Sequence, residues 1–259
     1  MPELWQACLI VCPLVFMAGF VDSVAGGGGI ISIPAYMLAG LPTHLSLGTN
    51  KVVACIGTAL ASVKYWKNGC VKARIAVWAA LGALAGSYAG SHLALLIPEQ
   101  SLKILILIIL PLVAIFLAKQ RRFGEESSRR RAMRAGIERL AAVATGLGIG
   151  LYDGLAGPGT GTFLILVFTG VFGLDLLTSS GCAKIANLAS NVMAAVVYLL
   201  NGEVWLWLAA PAMACCLLGN YLGARYAMRG GSASVRKIMF IVLILLFIKC
   251  GIDLLQMAL

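Results

Sequence analysis

Long runs of apolar residues constrain this chain more than any other feature. Residues 104–117 and 238–248 carry no charged side chain, and a helix needs about 20 mostly apolar residues to cross a hydrocarbon core of about 30 Å. Hydrophobic residues make up 61% of the whole chain and charged residues 12%, whereas about a quarter of the residues in a soluble domain are charged. The sequence therefore predicts an all-α, polytopic membrane protein.

Glycines, prolines and charges divide the chain into about five apolar segments before a basic loop and about five after it. The predicted segments are 4–21, 27–41, 45–64, 74–97, 101–118, 138–155, 159–174, 177–200, 203–228 and 235–256. Two of them, 27–41 and 159–174, are too short for a comfortable span. Because each follows a glycine-rich break, we expect broken or re-entrant helices there. The predicted organisation is a first transmembrane repeat (1–118), a basic linker (119–136) and a second transmembrane repeat (137–259).

Much of the net charge of +10 lies in the linker and at its edges. The basic residues there are Lys119, Arg121, Arg122, Arg129, Arg130, Arg131 and Arg134. They form no motif typical of nucleic-acid recognition, so we expect no nucleic-acid partner. The positive-inside rule instead places this loop in the cytoplasm, next to anionic lipid. The cysteines show no CxxC spacing and His44 and His92 are isolated, so we expect no metal site and no cofactor.

An internal repeat relates the two halves. Tyr65-x-x-Asn68-Gly69-x-Val71 recurs 133 positions later as Tyr198-x-x-Asn201-Gly202-x-Val204. Further pairs at the same offset are Gly48 and Gly181, Lys51 and Lys184, Gly86 and Gly219, Tyr88 and Tyr221, and Gly90 and Gly223. Asp22 and Asp153 match at an offset of 131. This many coincidences indicates a duplication.

Loop charge predicts that the two halves are inverted relative to each other. The loop after the third segment carries Lys64, Lys67, Lys72 and Arg74, whereas its counterpart in the second half, residues 201–204, has no basic residue. The next link reverses the contrast, since 98–100 lacks basic residues and its counterpart carries Arg225 and Arg229. Equivalent loops then lie on opposite sides of the membrane. Transporters with inverted repeats bind substrate near the bilayer midplane.

Two glycine-rich breaks are candidate anion sites. They comprise Gly26, Gly27, Gly28 and Gly29 in the first half, and Gly157, Gly159, Thr160 and Gly161 in the second. Glycine lets the backbone approach a ligand closely, and the following helix N-terminus offers free N–H groups and partial positive charge. The alternative is close helix packing by small residues.

Lys51 and Lys184 lie at matched positions 14 residues before Tyr65 and Tyr198. At about 1.5 Å per residue, both ammonium groups should lie near the midplane. A charge at that depth must face substrate, water or a fixed carboxylate, and we expect it to face substrate.

Several polar residues near these lysines complete the candidate site. We expect Asp22 and Asp153 mainly to cap the short helices, with neutralisation of the lysines or proton relay as the alternatives. Thr49, Asn50 and Asn187 are candidate hydrogen-bond donors to an oxyanion, or polar contacts between helices.

Three motifs resemble those of the sulfite exporter TauE/SafE family, also called the toluene sulfonate uptake permease family. They are Asp22-Ser-Val-Ala-Gly-Gly-Gly-Gly29, Gly48-Thr-Asn-Lys51 and Tyr152-Asp-Gly-Leu-Ala-Gly-Pro-Gly-Thr-Gly-Thr-Phe163. The resemblance covers nearly the whole chain. It implies a prokaryotic secondary transporter of sulfite, sulfonates, sulfoacetate or related anions, as a multi-pass protein of the cytoplasmic (inner) membrane. In the second half Cys182-Ala183 takes the place of Thr49-Asn50 before the lysine. We therefore do not expect the two lysines to have equal roles.

We therefore expect a transporter, not an enzyme, that carries a small anion by alternating access with protons as a possible coupling ion. The alternatives are an intramembrane enzyme acting on a lipid or sulfur compound, and a passive anion channel. The sequence contains no HExxH motif and no GxSxG elbow, which disfavours hydrolytic chemistry.

Overall fold

The computed structural model describes residues 2–106, 108 and 134–258, and all regular structure in that part of the chain is helical. The helices are α1 (Leu4–Ala25), α2 (Gly29–Leu38), α3 (Thr43–Lys67), α4 (Ala73–Leu96), α5 (Ala135–Leu155), α6 (Thr160–Gly170), α7 (Leu176–Leu200) and α8 (Leu206–Ala258). Residues 99–106 are also helical. The predicted all-α class is confirmed.

Long apolar helices form the frame of the protein. Within the described residues, four helical stretches are long and apolar enough to cross a membrane: α1, α4, α7 and the part of α8 from Leu206 to Val235. Helix α3 is as long as α7, at 25 residues, but it is more polar because it carries buried Thr49, Asn50 and Lys51. The chain is therefore a multi-pass membrane protein.

The two short helices occur where the glycine-rich breaks predict them. Helix α2 has 10 residues and α6 has 11, so each is about 15 Å long at 1.5 Å per residue. That is about half of a hydrocarbon core. Their apolar side chains are mostly buried within the protein.

Helix α8 differs from the prediction of two separate segments, 203–228 and 235–256. It runs from Leu206 to Ala258, with one non-helical residue, Gly231, at φ 58° and ψ −151°. Glycine tolerates this conformation without a clash at Cβ, so the chain bends there without a loop. The predicted segment 101–118 is described only in part, and most of the linker 119–136 lies outside the described residues. Helix α5 begins at Ala135, inside the predicted linker.

Matched glycines make the same packing contact in both halves. Gly86 and Gly90 of α4 lie directly against the backbone of α5, and their repeat partners Gly219 and Gly223 of α8 lie against the backbone of α1. At each of these positions an added Cβ would collide with a backbone carbonyl of the neighbouring helix. The duplicated glycines therefore let both helix pairs pack backbone against backbone, as small residues do in membrane proteins.

Helices α3 and α7 pair reciprocally through residues at matched positions. Gly48, near the start of α3, packs against the carbonyl of Glu203 beyond the end of α7, and Gly181 packs against the carbonyl of Cys70 beyond the end of α3. The start of each helix thus lies beside the end of the other. The orientation of the two halves across a bilayer stays a prediction from loop charge.

Site-directed labelling tests that orientation. In a background without the eight native cysteines, we expect Glu203→Cys to react with an impermeant maleimide from outside intact cells. Asn68→Cys should react only after permeabilisation, because its loop is basic. Asn68 is exposed and Glu203 is partly exposed, so neither position is buried. Labelling of both from the same side would contradict the inverted repeat.

Candidate anion site

The two glycine-rich breaks cross each other in direct backbone contact. The backbone N–H of Thr162 donates to the carbonyl of Gly26 at 3.2 Å, and the Thr162 hydroxyl donates to the carbonyl of Ala25 at 2.8 Å. A Cβ on Gly161 would lie 2.5 Å from the Cα of Gly26. The breaks must therefore be glycine for the two chains to approach this closely.

Helices α2 and α6 both begin at this crossing. Their N-cap residues are Gly28 and Gly159, and neither helix start receives a side-chain cap. The first N–H groups of a helix have no intrahelical acceptor and carry partial positive charge. Two such helix starts therefore lie next to the crossing.

Asp22 and Asp153 do not cap these helices, so the capping prediction is wrong. Asp22 lies in the last turn of α1 and Asp153 in the last turn of α5, on the other side of each break from the helix start. Both carboxylates are instead engaged by lysines, which was the alternative interpretation. The glycine runs separate each aspartate from the next helix start by too many residues for a local cap.

Lys51 forms a buried ion pair with Asp153 of the other half. The ammonium Nζ lies 2.7 Å from Oδ1, and the two side chains are 2% and 3% exposed. Lys51 also donates to Oδ1 of Asn191 at 3.3 Å, and the Ser190 hydroxyl donates to Oδ2 of Asp153. Both charges are therefore compensated inside the protein.

Lys184 forms the equivalent pair with Asp22, again between the halves. Its Nζ lies 2.7 Å from Oδ2, with the lysine side chain fully buried and the aspartate side chain 15% exposed. Each half thus contributes one lysine and one aspartate, and each lysine crosses to the other half. The same lysine–aspartate contact is therefore present twice, once for each half.

A cavity lies at the crossing, between α1, α2, α3, α5, α6, α7 and α8. The predicted site residues that line it are Asp22, Gly26, Gly28, Gly29, Asn50, Lys51, Asp153, Gly157, Thr160, Gly161 and Asn187. The structure therefore brings most of the predicted site together around one space. It encloses the Lys51–Asp153 pair and two helix starts.

Four predicted residues lie outside the lining of this cavity. Lys184 is buried behind it, and Gly27 and Gly159 accept hydrogen bonds within the turns that begin α2 and α6. The Thr49 hydroxyl oxygen accepts from the backbone N–H of Trp205 at 3.0 Å. This corrects the prediction that Thr49 is a donor to the anion, since it secures the α7–α8 loop instead. At the equivalent position, Cys182 accepts from the N–H of Lys72 at 3.3 Å.

Among the predicted donors, the amides of Asn50 and Asn187 are uncommitted. They are 7% and 5% exposed, line the cavity, and have no hydrogen-bond partner within the described residues. The predicted site left out four further polar residues of the lining: Ser32, Thr58, Asn191 and Asn220. Only the spacing of Asn191, four residues after Asn187 on one helical face, gave a signal in the sequence.

Comparison with known proteins supplies a family for this architecture. The model of the sulfite exporter TauE/SafE family matches residues 11–250, which include both glycine-rich breaks and both ion pairs. The chain belongs to the TauE/SafE family. No solved structure matches it significantly.

Curated relatives of similar length are described as probable membrane transporters. A probable membrane transporter protein, ORF9, from Sinorhizobium sp is 36% identical over 92% of this chain and 90% of its own length. A probable membrane transporter protein from Haemophilus influenzae is 32% identical over 92% of each chain. The probable membrane transporter protein YfcA of Escherichia coli K12 is 32% identical over 88% of this chain and 84% of its own length. These names indicate transport, with no substrate stated.

In this TauE/SafE member the two halves of the site differ in their uncharged residues. Asn50 is replaced by Ala183 at the matched position of the second half, and Asn187 corresponds to Ala54. Of the two lysines, only Lys51 lines the cavity. The ion pairs follow the repeat, whereas the cavity-lining amides do not, so the cavity is asymmetric.

Proposed function

We propose that this protein is a secondary transporter that moves a small sulfur-containing or related organic anion, of the sulfite, sulfonate or sulfoacetate type, across the cytoplasmic membrane by alternating access. The observation that carries the proposal is the Lys51 ammonium, which borders a cavity between two crossed glycine breaks. The family supports transport, and the chemistry of the cavity supports an anion.

The donors around the cavity suit an oxyanion. Lys51 supplies a charge, Asn50 and Asn187 supply uncommitted amides, and the two helix starts supply partial positive charge. Charge-assisted hydrogen bonds to an oxyanion are roughly twice as strong as neutral ones. Gly28, Gly29 and Gly157 line the cavity, and because they have no side chain, an anion can approach their backbone closely.

The charge balance adds a condition for binding. Lys51 is already neutralised by Asp153, while Asp22, which also lines the cavity, is paired with Lys184. An anion that bonds to Lys51 therefore competes with the Asp153 carboxylate. Protonation of Asp153 removes that competition, and one proton then accompanies one anion. We therefore propose proton coupling through Asp153.

Tight helix pairs provide bodies that move around the crossing. Glycines hold α1 to α8 and α4 to α5 at backbone contact, so each pair moves as a unit. Motion of one pair against the other opens the cavity to one side and closes it to the other. The two ion pairs that join the halves lie at the point around which these helix pairs move.

Reconstitution into liposomes tests this function. We expect saturable uptake of radiolabelled sulfite, an alkanesulfonate or sulfoacetate that is accelerated by the same unlabelled anion inside and by a proton gradient directed inward, because Asp153 protonation favours anion binding. The recovered anion should be chemically unchanged. Flux without acceleration by internal anion would indicate a channel, and a changed product would indicate an enzyme.

A further inference from the structure

Asn220 of α8 is held in a fixed orientation at one wall of the cavity. It is 1% exposed, and its Nδ2 donates to the carbonyl of Cys216 at 3.0 Å. The amide fits into notches left by Gly19 of α1 and Gly57 of α3, where an added Cβ would collide with Nδ2 or approach it to 2.9 Å. Reversing the amide would place its oxygen against the Cys216 carbonyl, so the donor side is fixed.

The Oδ1 of Asn220 consequently remains as a buried acceptor without a hydrogen-bond partner in the described part of the protein. The hydroxyl of Thr58, 1% exposed on α3, is also without a partner. Both residues line the same cavity as Lys51. Buried polar atoms without partners are rare, and each is costly unless another molecule supplies the missing hydrogen bond.

The matched position in the other half shows that the fold does not require this arrangement. Asn220 corresponds to Ser87 of α4, whose hydroxyl donates to the carbonyl of Ser190 at 2.7 Å. That residue is buried and satisfied, whereas Asn220 is buried and unsatisfied. The free acceptor therefore belongs to the cavity and not to the packing of the repeat.

We infer that the transported anion carries a hydrogen-bond donor, a hydroxyl or amino group, beside its anionic group. This rests on the proposed function and specifies its substrate class. The Oδ1 of an amide can only accept, so it repels the oxygens of a fully ionised oxyanion that has no donor of its own. The anionic end binds Lys51, Asn50 and Asn187, and the donor end binds Asn220 and Thr58.

Two matched sulfonates test the inference. Ethanesulfonate and 2-hydroxyethanesulfonate differ by one hydroxyl, and their affinities for the detergent-purified protein can be measured by calorimetry. We expect the hydroxylated anion to bind about tenfold more tightly, because the other ligand leaves the buried acceptor unpaired. In Asn220→Leu this preference should disappear through weaker binding of the hydroxylated anion alone.

Control variants separate this role from general damage to the site. Asn187→Leu should weaken both sulfonates by a similar factor and keep the preference, because Asn187 is on the donor side. Ser87→Ala should change neither affinity. Thr58→Val provides a second test if Asn220→Leu lowers the yield of folded protein, and it should reduce the preference at least threefold.

The outcomes distinguish failure of the inference from failure of the proposed function. Equal affinity of the wild-type protein for the two sulfonates would overturn the inference and leave anion transport intact, as expected if water occupies the Asn220 acceptor. An Asn220→Leu variant that loses affinity for both equally would also overturn it. If neither anion binds the wild-type protein, the proposed function fails for sulfonates and the inference with it.

Discussion

Replacement of Lys51 alone by methionine is expected to lower the free energy of unfolding by about 3–5 kcal/mol. The substitution leaves Asp153 with a side chain 3% exposed and without its cation. The Ser190 hydroxyl would still donate to the carboxylate, but a neutral hydrogen bond does not replace an ammonium at 2.7 Å. Denaturant titration in mild detergent measures the loss.

Removal of both partners should restore most of this stability without restoring binding. In the double variant Lys51→Met/Asp153→Asn no buried charge remains, and an uncharged replacement of a buried pair is often neutral. If Lys51 is the cation of the site, anion affinity falls tenfold to more than a hundredfold, which corresponds to the loss of about 1.5–3 kcal/mol for one charge-assisted hydrogen bond. Wild-type affinity in the double variant would exclude Lys51 as a ligand.

The second ion pair is the matched control. Lys184 is fully buried and lies outside the lining of the cavity. Asp22 lines the cavity but is neutralised by Lys184, so this pair should act mainly on stability. Lys184→Met should destabilise, whereas Lys184→Met/Asp22→Asn should recover stability and keep anion affinity within a few-fold of wild type. Loss of affinity in that double variant would show that both pairs take part in binding, as the symmetry of the repeat alone would suggest.

Sequence reasoning located these four charged residues but not their partners. The repeat placed Lys51 and Lys184 at matched positions, and apolar surroundings predicted buried charge. Which aspartate meets which lysine depends on the crossing of the two breaks, where the halves exchange neighbours, and no local pattern encodes a contact between residues 51 and 153. The preference of aspartate for helix N-caps favoured a local role for Asp22 and Asp153. In the structure each instead forms an ion pair with a lysine of the other half.

Helical geometry explains the mixed outcome at Thr49 and Asn50. Adjacent residues on a helix point about 100° apart, so neighbouring residues of a motif need not face the same space. Asn50 lines the site, and Thr49 faces the α7–α8 loop and binds the Trp205 N–H. The sequence motif alone does not show that the two side chains face different surroundings. That difference depends on how α3 packs against α7 and the loop that follows it.

Asn220 shows why a sequence motif could not identify every polar residue of the cavity. Asparagines in membrane helices commonly bond to neighbouring helices, and Asn220 does donate to a carbonyl in this way. Its role in the cavity follows from the amide oxygen that stays unpaired, which becomes visible only after Gly19 and Gly57 are placed around it.

The glycine crossing gives the second large expected effect. Gly26→Ala combines two penalties, because its φ of 77° is left-handed and its Cβ would lie 2.6 Å from the Cα of Gly161. Left-handed strain costs about 1–2 kcal/mol and overpacking about 1–3 kcal/mol or more. We expect a loss of about 4 kcal/mol in the free energy of unfolding, together with loss of anion binding.

Two other glycines separate these penalties. Gly69→Ala has a similar φ of 71° with nothing within 4 Å of its Cβ, so it should show the strain alone, about 1 kcal/mol, and bind anion normally. Gly161→Ala has no positive φ but meets Gly26 Cα at 2.5 Å, so it should show the crowding and the loss of binding. If Gly161→Ala were as stable and as active as Gly69→Ala, the close approach of the two breaks would not be needed for the site. Loss of binding in Gly161→Ala but not in Gly69→Ala would instead link recognition of the anion to the contact between the two halves.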